Sequence, residues 1–246
     1  MIDALATSPL RFEQASLAEQ AYLAVRERIL KGELRLGAAL SRRKLASELG
    51  MSLIPVSEAL QRLETEGLVE STPRVGTRVY MPTIDDIRER YVVREALESQ
   101  AARVFSEKAS PGDRKELCRM AEHMDALFNR RLSVEDDSEF MFAVQSYHFH
   151  LHMRIAEATR CRPLAKLIEQ THVLMFNWVW DLAARRPALP PRFHRDLIDA
   201  LVATNPTESD AAMRRHIRHG LEGIIRAIAD PAAGEGDVGR DAETGV

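Results

Sequence analysis

All eight histidines of this 246-residue chain, His123, His148, His150, His152, His172, His194, His216 and His219, lie after residue 120. Three of them stand in one run, His148-Phe149-His150-Leu151-His152. On a helix, residues four apart share a face, so His148 and His152 stack one turn apart. His150 lies about 200° round the axis from His148 and points elsewhere. Two imidazoles at this spacing can grip one divalent metal ion, as they do in other helical sites. Two ligands do not make a site, and His194 and His216, on later segments, are the candidates to complete it.

Such side chains need helices to carry them, and the second part of the chain supplies helices throughout. Apolar periodicity predicts them over about 83–109, 112–131, 136–159, 162–184, 191–204 and 207–229. Breaks fall at Ser110-Pro111-Gly112, between Arg160 and Pro163, from Arg186-Pro187 to Pro190-Pro191, and at Asn205-Pro206. An all-α bundle over 83–229 follows. Met175, Phe176, Trp178 and Trp180 form an apolar cluster expected in its core. Residues 230–246, rich in Gly, Ala and Asp, read as a disordered tail, and residues 1–16, without a period, as a flexible arm.

Residues 17–80 read differently. Leu17, Leu23, Ile29 and Leu30 mark a first helix, which Gly32 and Gly37 close. Leu40, Leu45 and Leu49 give a short second helix with Ser41 as its cap and Gly50 in the turn that follows. A third starts at Ser52, tolerates Pro55 in its first turn, and buries Val56, Leu60 and Leu63 before Gly67. Leu68-Val69-Glu70 and Thr77-Arg78-Val79-Tyr80 are β-like runs joined by the turn Pro73-Arg74-Val75-Gly76. Helix, turn, helix and hairpin make a winged helix-turn-helix, whose second helix enters the major groove of double-stranded DNA. The fold class is therefore mainly α, an N-terminal winged helix-turn-helix followed by an all-α bundle. Candidate DNA contacts are Ser52, Leu53 and Ser57 at the start of the reading helix. Arg42, Arg43 and Lys44 on the preceding helix face phosphate, and Arg74, Thr77 and Arg78 lie on the wing.

The residues Leu45-Ala46, Leu49-Gly50, Ser52, Pro55-Val56, Glu58-Ala59-Leu60, Arg62-Leu63 and Glu66-Gly67-Leu68-Val69 resemble the DNA-binding domain of the GntR family of bacterial transcription regulators. Gly76 and Val79 fit its wing. Two positions depart: the family usually has arginine where this chain has Leu53 and Ser57. Its usual base readout therefore does not carry over, and apolar contact from Leu53 or Ile54 to thymine methyls is an alternative. Downstream, His152-Met-Arg-Ile-Ala-Glu-Ala-Thr, Arg94-x-x-Leu97-Glu98, and the segment from His194 through Ala212-Met213 to His216 resemble the FCD ligand-binding domain of the FadR-type subfamily. That resemblance implies a metal held by one Asp and three His. The three fall on His152, His194 and His216, and His148 stands where the Asp belongs.

Four His donors shift the expected ion toward zinc or nickel. Neutral imidazoles leave the full 2+ charge uncompensated, so the open position should attract an anion. A small carboxylate effector bridging the metal and Arg94 is the expectation, Arg94 acting as the clamp. An ion pair with Glu98 is the other role open to Arg94.

The net charge of −3 averages over a split: residues 17–80 carry ten Lys/Arg against eight Asp/Glu, and residues 230–246 one Arg against five acids. A mildly basic head suits phosphate contacts. Cys118 and Cys161 are too few for a disulfide framework, no apolar run approaches the roughly 20 residues of a membrane span, and the start lacks a signal-peptide pattern. The expectation is a cytoplasmic homodimer, since one helix-turn-helix reads one half-site, acting as a ligand-responsive repressor. The second reading keeps the regulator but makes its metal purely structural. A metal-dependent hydrolase is remote, because no His-Glu-x-x-His or nucleophile motif is present.

Overall fold

Ser16 opens the first helix, α1 (Leu17–Leu30), its hydroxyl accepting the Glu19 N–H at 3.2 Å. Two left-handed glycines, Gly32 and Gly37, both at φ 74°, then reverse the chain. The computed structural model describes residues 15–131, 137–183 and 188–229; for residues 138, 173–183 and 229 it describes the backbone alone. The expected arm and tail lie outside these residues except for 15 and 16, as do the side chains of Met175, Phe176, Trp178 and Trp180.

Strand β1 (Ala39–Leu40) precedes α2 (Arg42–Leu49). Ser41 caps α2 by accepting the Lys44 N–H at 3.3 Å, and Gly50, at φ 63°, ends it in the left-handed conformation. Helix α3 (Leu53–Thr65) follows, with Ser52 at its cap position but making no side-chain cap bond. Strands β2 (Val69–Thr72) and β3 (Gly76–Val79) form the wing, antiparallel, with Glu70 opposite Arg78. β1 pairs with the other edge of β3, so the sheet order is β1-β3-β2. Leu40 thus sits in a strand rather than in the helical stripe expected for it. Its side chain is buried in either arrangement, which is why apolar pattern alone could not separate the two. Val56, Ala59, Leu60 and Leu63 of α3 are buried against α1 and α2, and truncating a leucine in such a core costs about 2–5 kcal/mol.

Thr83 and Asp86 start α4 (Ile84–Lys108) with a reciprocal capping box: Thr83 Oγ1 accepts the Asp86 N–H at 3.1 Å, and Asp86 Oδ2 accepts the Thr83 N–H at 2.7 Å. Ser110 and Asp113 repeat this at α5 (Pro111–Arg131). Helices α6 (Ser138–Ala158), α7 (Arg162–Ala183), α8 (Phe193–Val202) and α9 (Pro206–Ala229) complete the bundle, each within two residues of its sequence-predicted span. α9 runs along α4, α5 packs on α6 and α8, and α7 packs on α6 and α4. Phe105, Leu117, Met124, Leu151, Ile155, Ile168, Ile198 and Leu201 fill the middle. Their burial brings α4, α6, α8 and α9 together around one cluster of imidazoles.

Candidate metal centre and nucleic-acid interface

His148 and His152 share the inner face of α6, and their Nε2 atoms lie 3.1 Å apart. His216, from α9, brings its Nε2 to 3.3 Å from that of His152. His194, from α8, completes the group, its ring centroid 5.1 Å from that of His148 and 5.4 Å from that of His216. One ligand atom each from His148, His194 and His216 falls within 4.8 Å of the others. The structure therefore brings together all four of the sequence-predicted ligands.

Acids behind the rings fix their orientation. His194 Nδ1 lies 2.8 Å from Asp125 Oδ1, so Nδ1 carries the proton and Nε2 keeps its lone pair. That Nε2 is buried without a partner, as is His216 Nδ1. Glu98 takes His152 Nδ1 on one oxygen, and Arg94 Nε and His172 Nε2, the latter at 2.8 Å, on the other. His152 is then locked with its Nε2 lone pair toward His148 and His216. A carboxylate behind the non-ligating nitrogen is the usual support of a metal-bound histidine. Separations of 3.1 and 3.3 Å also fit neighbouring nitrogens that would share one ion at about 2.05 Å each. The donor set fits a divalent transition metal.

Burial pushes the His148 and His216 pKa values well below the ordinary range, helped by neighbouring imidazoles, and lowers His172 and His194. His152 falls to about 4, burial outweighing the upward pull of Glu98. The rings are therefore neutral at pH 7 and available as ligands. For Glu98, burial pushes upward, but Arg94, His152 and His172 together hold the carboxyl well below its usual range.

A cavity opens onto the cluster, lined by Tyr91, Arg94, Phe128, Arg131, His148 and His194 among others. Arg94 is buried and bound to Glu98, the second of its two expected roles, yet it also lines this cavity. Sequence reasoning missed Asp125 and His172 and gave Glu98 no part in orienting a ligand. Asp125 and His172 stand 69 and 74 residues from their partners, His194 and Glu98, and no local pattern marks them. Tyr147 meets His123 edge to face at 4.8 Å and is not among the cavity-lining residues.

In the head, Arg42, Arg43, Lys44, Ser52, Leu53, Arg74 and Arg78 are exposed. Arg74 sits in the wing turn at φ 66°, and Arg78 Nε donates to Glu70 Oε1 at 2.8 Å. Ser57 donates its hydroxyl hydrogen to the Leu53 carbonyl at 2.8 Å. Thr77 differs from expectation. It is buried, its Oγ1 3.0 Å from Ser71 Oγ and accepting from Arg42 at 3.4 Å, because alternate β3 residues face inward. It positions Arg42 instead of facing outward.

Residues 17–79 match the family model described as bacterial regulatory proteins, gntR family, and residues 89–219 match the FCD domain. The chain belongs to the gntR family of FCD-containing regulators. A probable D-xylose utilization operon transcriptional repressor of Paenarthrobacter nicotinovorans is 29% identical over 212 residues, 84% of this chain and 88% of that one. A putative GntR transcriptional regulator from Rhodococcus sp. RHA1 superposes with a TM-score of 0.69 at 23% identity, covering 87% of this chain and 99% of the other. McbR/YncC of E. coli gives 0.64 at 23%, with the same coverages. This gntR-family chain is thus a DNA-binding transcriptional regulator and not an enzyme, with an FCD-type fold behind a helix-turn-helix head. Among the described residues, no helix is long and apolar enough to cross a membrane.

Proposed function

We propose that this regulator is a homodimeric repressor whose operator affinity is set by a small carboxylate bound at a divalent metal, zinc or nickel, in the FCD domain. The observation that carries the reading is the convergence of His148, His152, His194 and His216, with Asp125 and Glu98 behind two of them. When bound, a metal that expands beyond four-coordination would offer an anion a Lewis-acidic position beside the four imidazoles. The chain's own residues add to that field: Arg94 and Arg131 both line the cavity. Glu98 is already bound to Arg94 and Asp125 to His194, so the charge of a bound dication would stay uncompensated toward the cavity, which favours an anionic guest. Val92 and Val93, exposed on α4, offer apolar surface to a second copy. The repressor sign is supported by the relative's name.

A thermal-shift screen of small carboxylates, with and without chelator, tests this. One acid that stabilises the protein only while metal is present, and that changes operator affinity, is the expected result. A second reading, a purely structural metal, is favoured by one observation: Arg94 already has a carboxylate partner in Glu98. Stabilisation by metal, with no response to any acid, would establish that reading instead.

A further inference from the structure

We infer that the reading helix α3 recognises its operator through the 5-methyl groups of thymine, packed against Leu53 and Ile54, and not through an arginine of that helix on guanine. The inference begins with where α3 spends its polar groups. In a helix-turn-helix the first turns of the second helix meet the base edges. Here those turns present Leu53, 47% exposed, and Ile54, 71% exposed. Leu53, Ser57 and Gln61 form one outward stripe at i, i+4 and i+8, with Ile54 beside it. The Ser57 hydroxyl hydrogen is committed to the Leu53 carbonyl, so only its lone pairs face out.

Guanine is read by a side chain that donates two hydrogen bonds to O6 and N7, which requires Arg or Lys. Helix α3 carries one cation, Arg62. It is bound to Glu19 and Glu66 and lies over the Tyr22 ring, 3.5 Å from its centroid. The reading helix therefore has no free counterpart for guanine. The one apolar group on a major-groove edge is the thymine methyl, and two large aliphatic side chains held in water beside the groove match it.

The gntR-family match makes the occupant of this head nucleic acid, and its exposed cations suit phosphate. Arg42, Arg43 and Lys44 start α2, and Arg74 tops the wing. Phosphate contacts of this kind position a helix without specifying sequence, so the division of labour is complete: basic flanks for the backbone, an apolar tip for the bases.

The full-length protein would be used to enrich duplexes from a random pool. The strongest would be resynthesised with deoxyuridine at each thymine in turn, and Kd measured by fluorescence anisotropy at one salt concentration. Half-sites should hold thymine at defined positions, and loss of one methyl should weaken binding about three- to fivefold. In Leu53→Ala or Ile54→Ala, the same uracil substitution should cost less than about twofold. The dependence of Kd on salt should not change, which also shows that the variant head still folds and docks. Uracil tolerated at every position would overturn the inference, as would a methyl penalty undiminished in both variants. Binding without sequence preference but with a normal salt dependence would also overturn it, while leaving the DNA-binding head itself intact.

Discussion

Asp125 holds His194 at two points and the next residue at a third: Oδ1 lies 2.8 Å from His194 Nδ1 and accepts the His194 backbone N–H at 3.0 Å, and Oδ2 accepts the Arg195 N–H at 3.1 Å. The carboxylate thus fixes the start of α8 and the plane of the ring together. Asp125→Asn puts an amide group against donors and frees the ring to choose its other tautomer. Metal affinity should fall about 10- to 100-fold, measured by competition with a chromophoric chelator. An unchanged affinity would remove Asp125 from the centre.

His148→Asp introduces one negative oxygen donor among three imidazoles. It cancels one unit of the ion's charge and hardens the ligand set. Selectivity for zinc or nickel over manganese should narrow by about an order of magnitude in paired titrations. Unaltered selectivity would mean that His148 is not a ligand.

Stripping metal should leave a protein sensitive to mild acid. His152 titrates at about 4 in the folded chain against 6.5 when free, so between these values the unfolded state binds the extra proton. Its contribution is complete above pH 6.5 and is lost as pH falls toward 4, a change on the order of 3 kcal/mol. His148, His172, His194 and His216 are shifted the same way. Glu98, held below its usual range, adds a further loss at lower pH. Urea unfolding in chelator at pH 7 and pH 5 should show a clear drop, and bound metal should reduce it near pH 6. Equal stability at the two pH values would refute the buried neutral cluster.

Arg43→Ala should weaken binding to all duplexes nearly equally and reduce the salt slope by about one. Arg43 is exposed at the first turn of α2. Anisotropy at four salt concentrations measures this; a loss confined to one sequence would instead make Arg43 a base reader.

Much of this molecule is legible in the chain because its signals are local. Ser41 and Gly50 bracket α2 where their chemistry says they should, and the i, i+4 spacing of His148 and His152 survives folding as one face of α6. His194 and His216 are candidates from residue type and the resemblance strengthens them, since spacing alone does not say that α8 and α9 meet α6. What the chain does not show locally is the support behind the proposed ligands. Asp125 looks like any helical acid until α8 lands on it. β1 stayed hidden too, because two residues show no alternation.

The capping box at Thr83 and Asp86 has a mechanical consequence. Helix α4 has 25 residues and is about 37 Å long, and Glu98 lies about 21 Å from its first residue. Fraying of the first turn would act as a loose joint between helix and head, but here that turn is clamped from both sides. The helix is therefore a stiff lever with the imidazole cluster bearing on it at Glu98. A tilt of about 5° there moves the end beside the wing by about 2 Å, enough to change how the two heads of the proposed dimer would span a pair of half-sites.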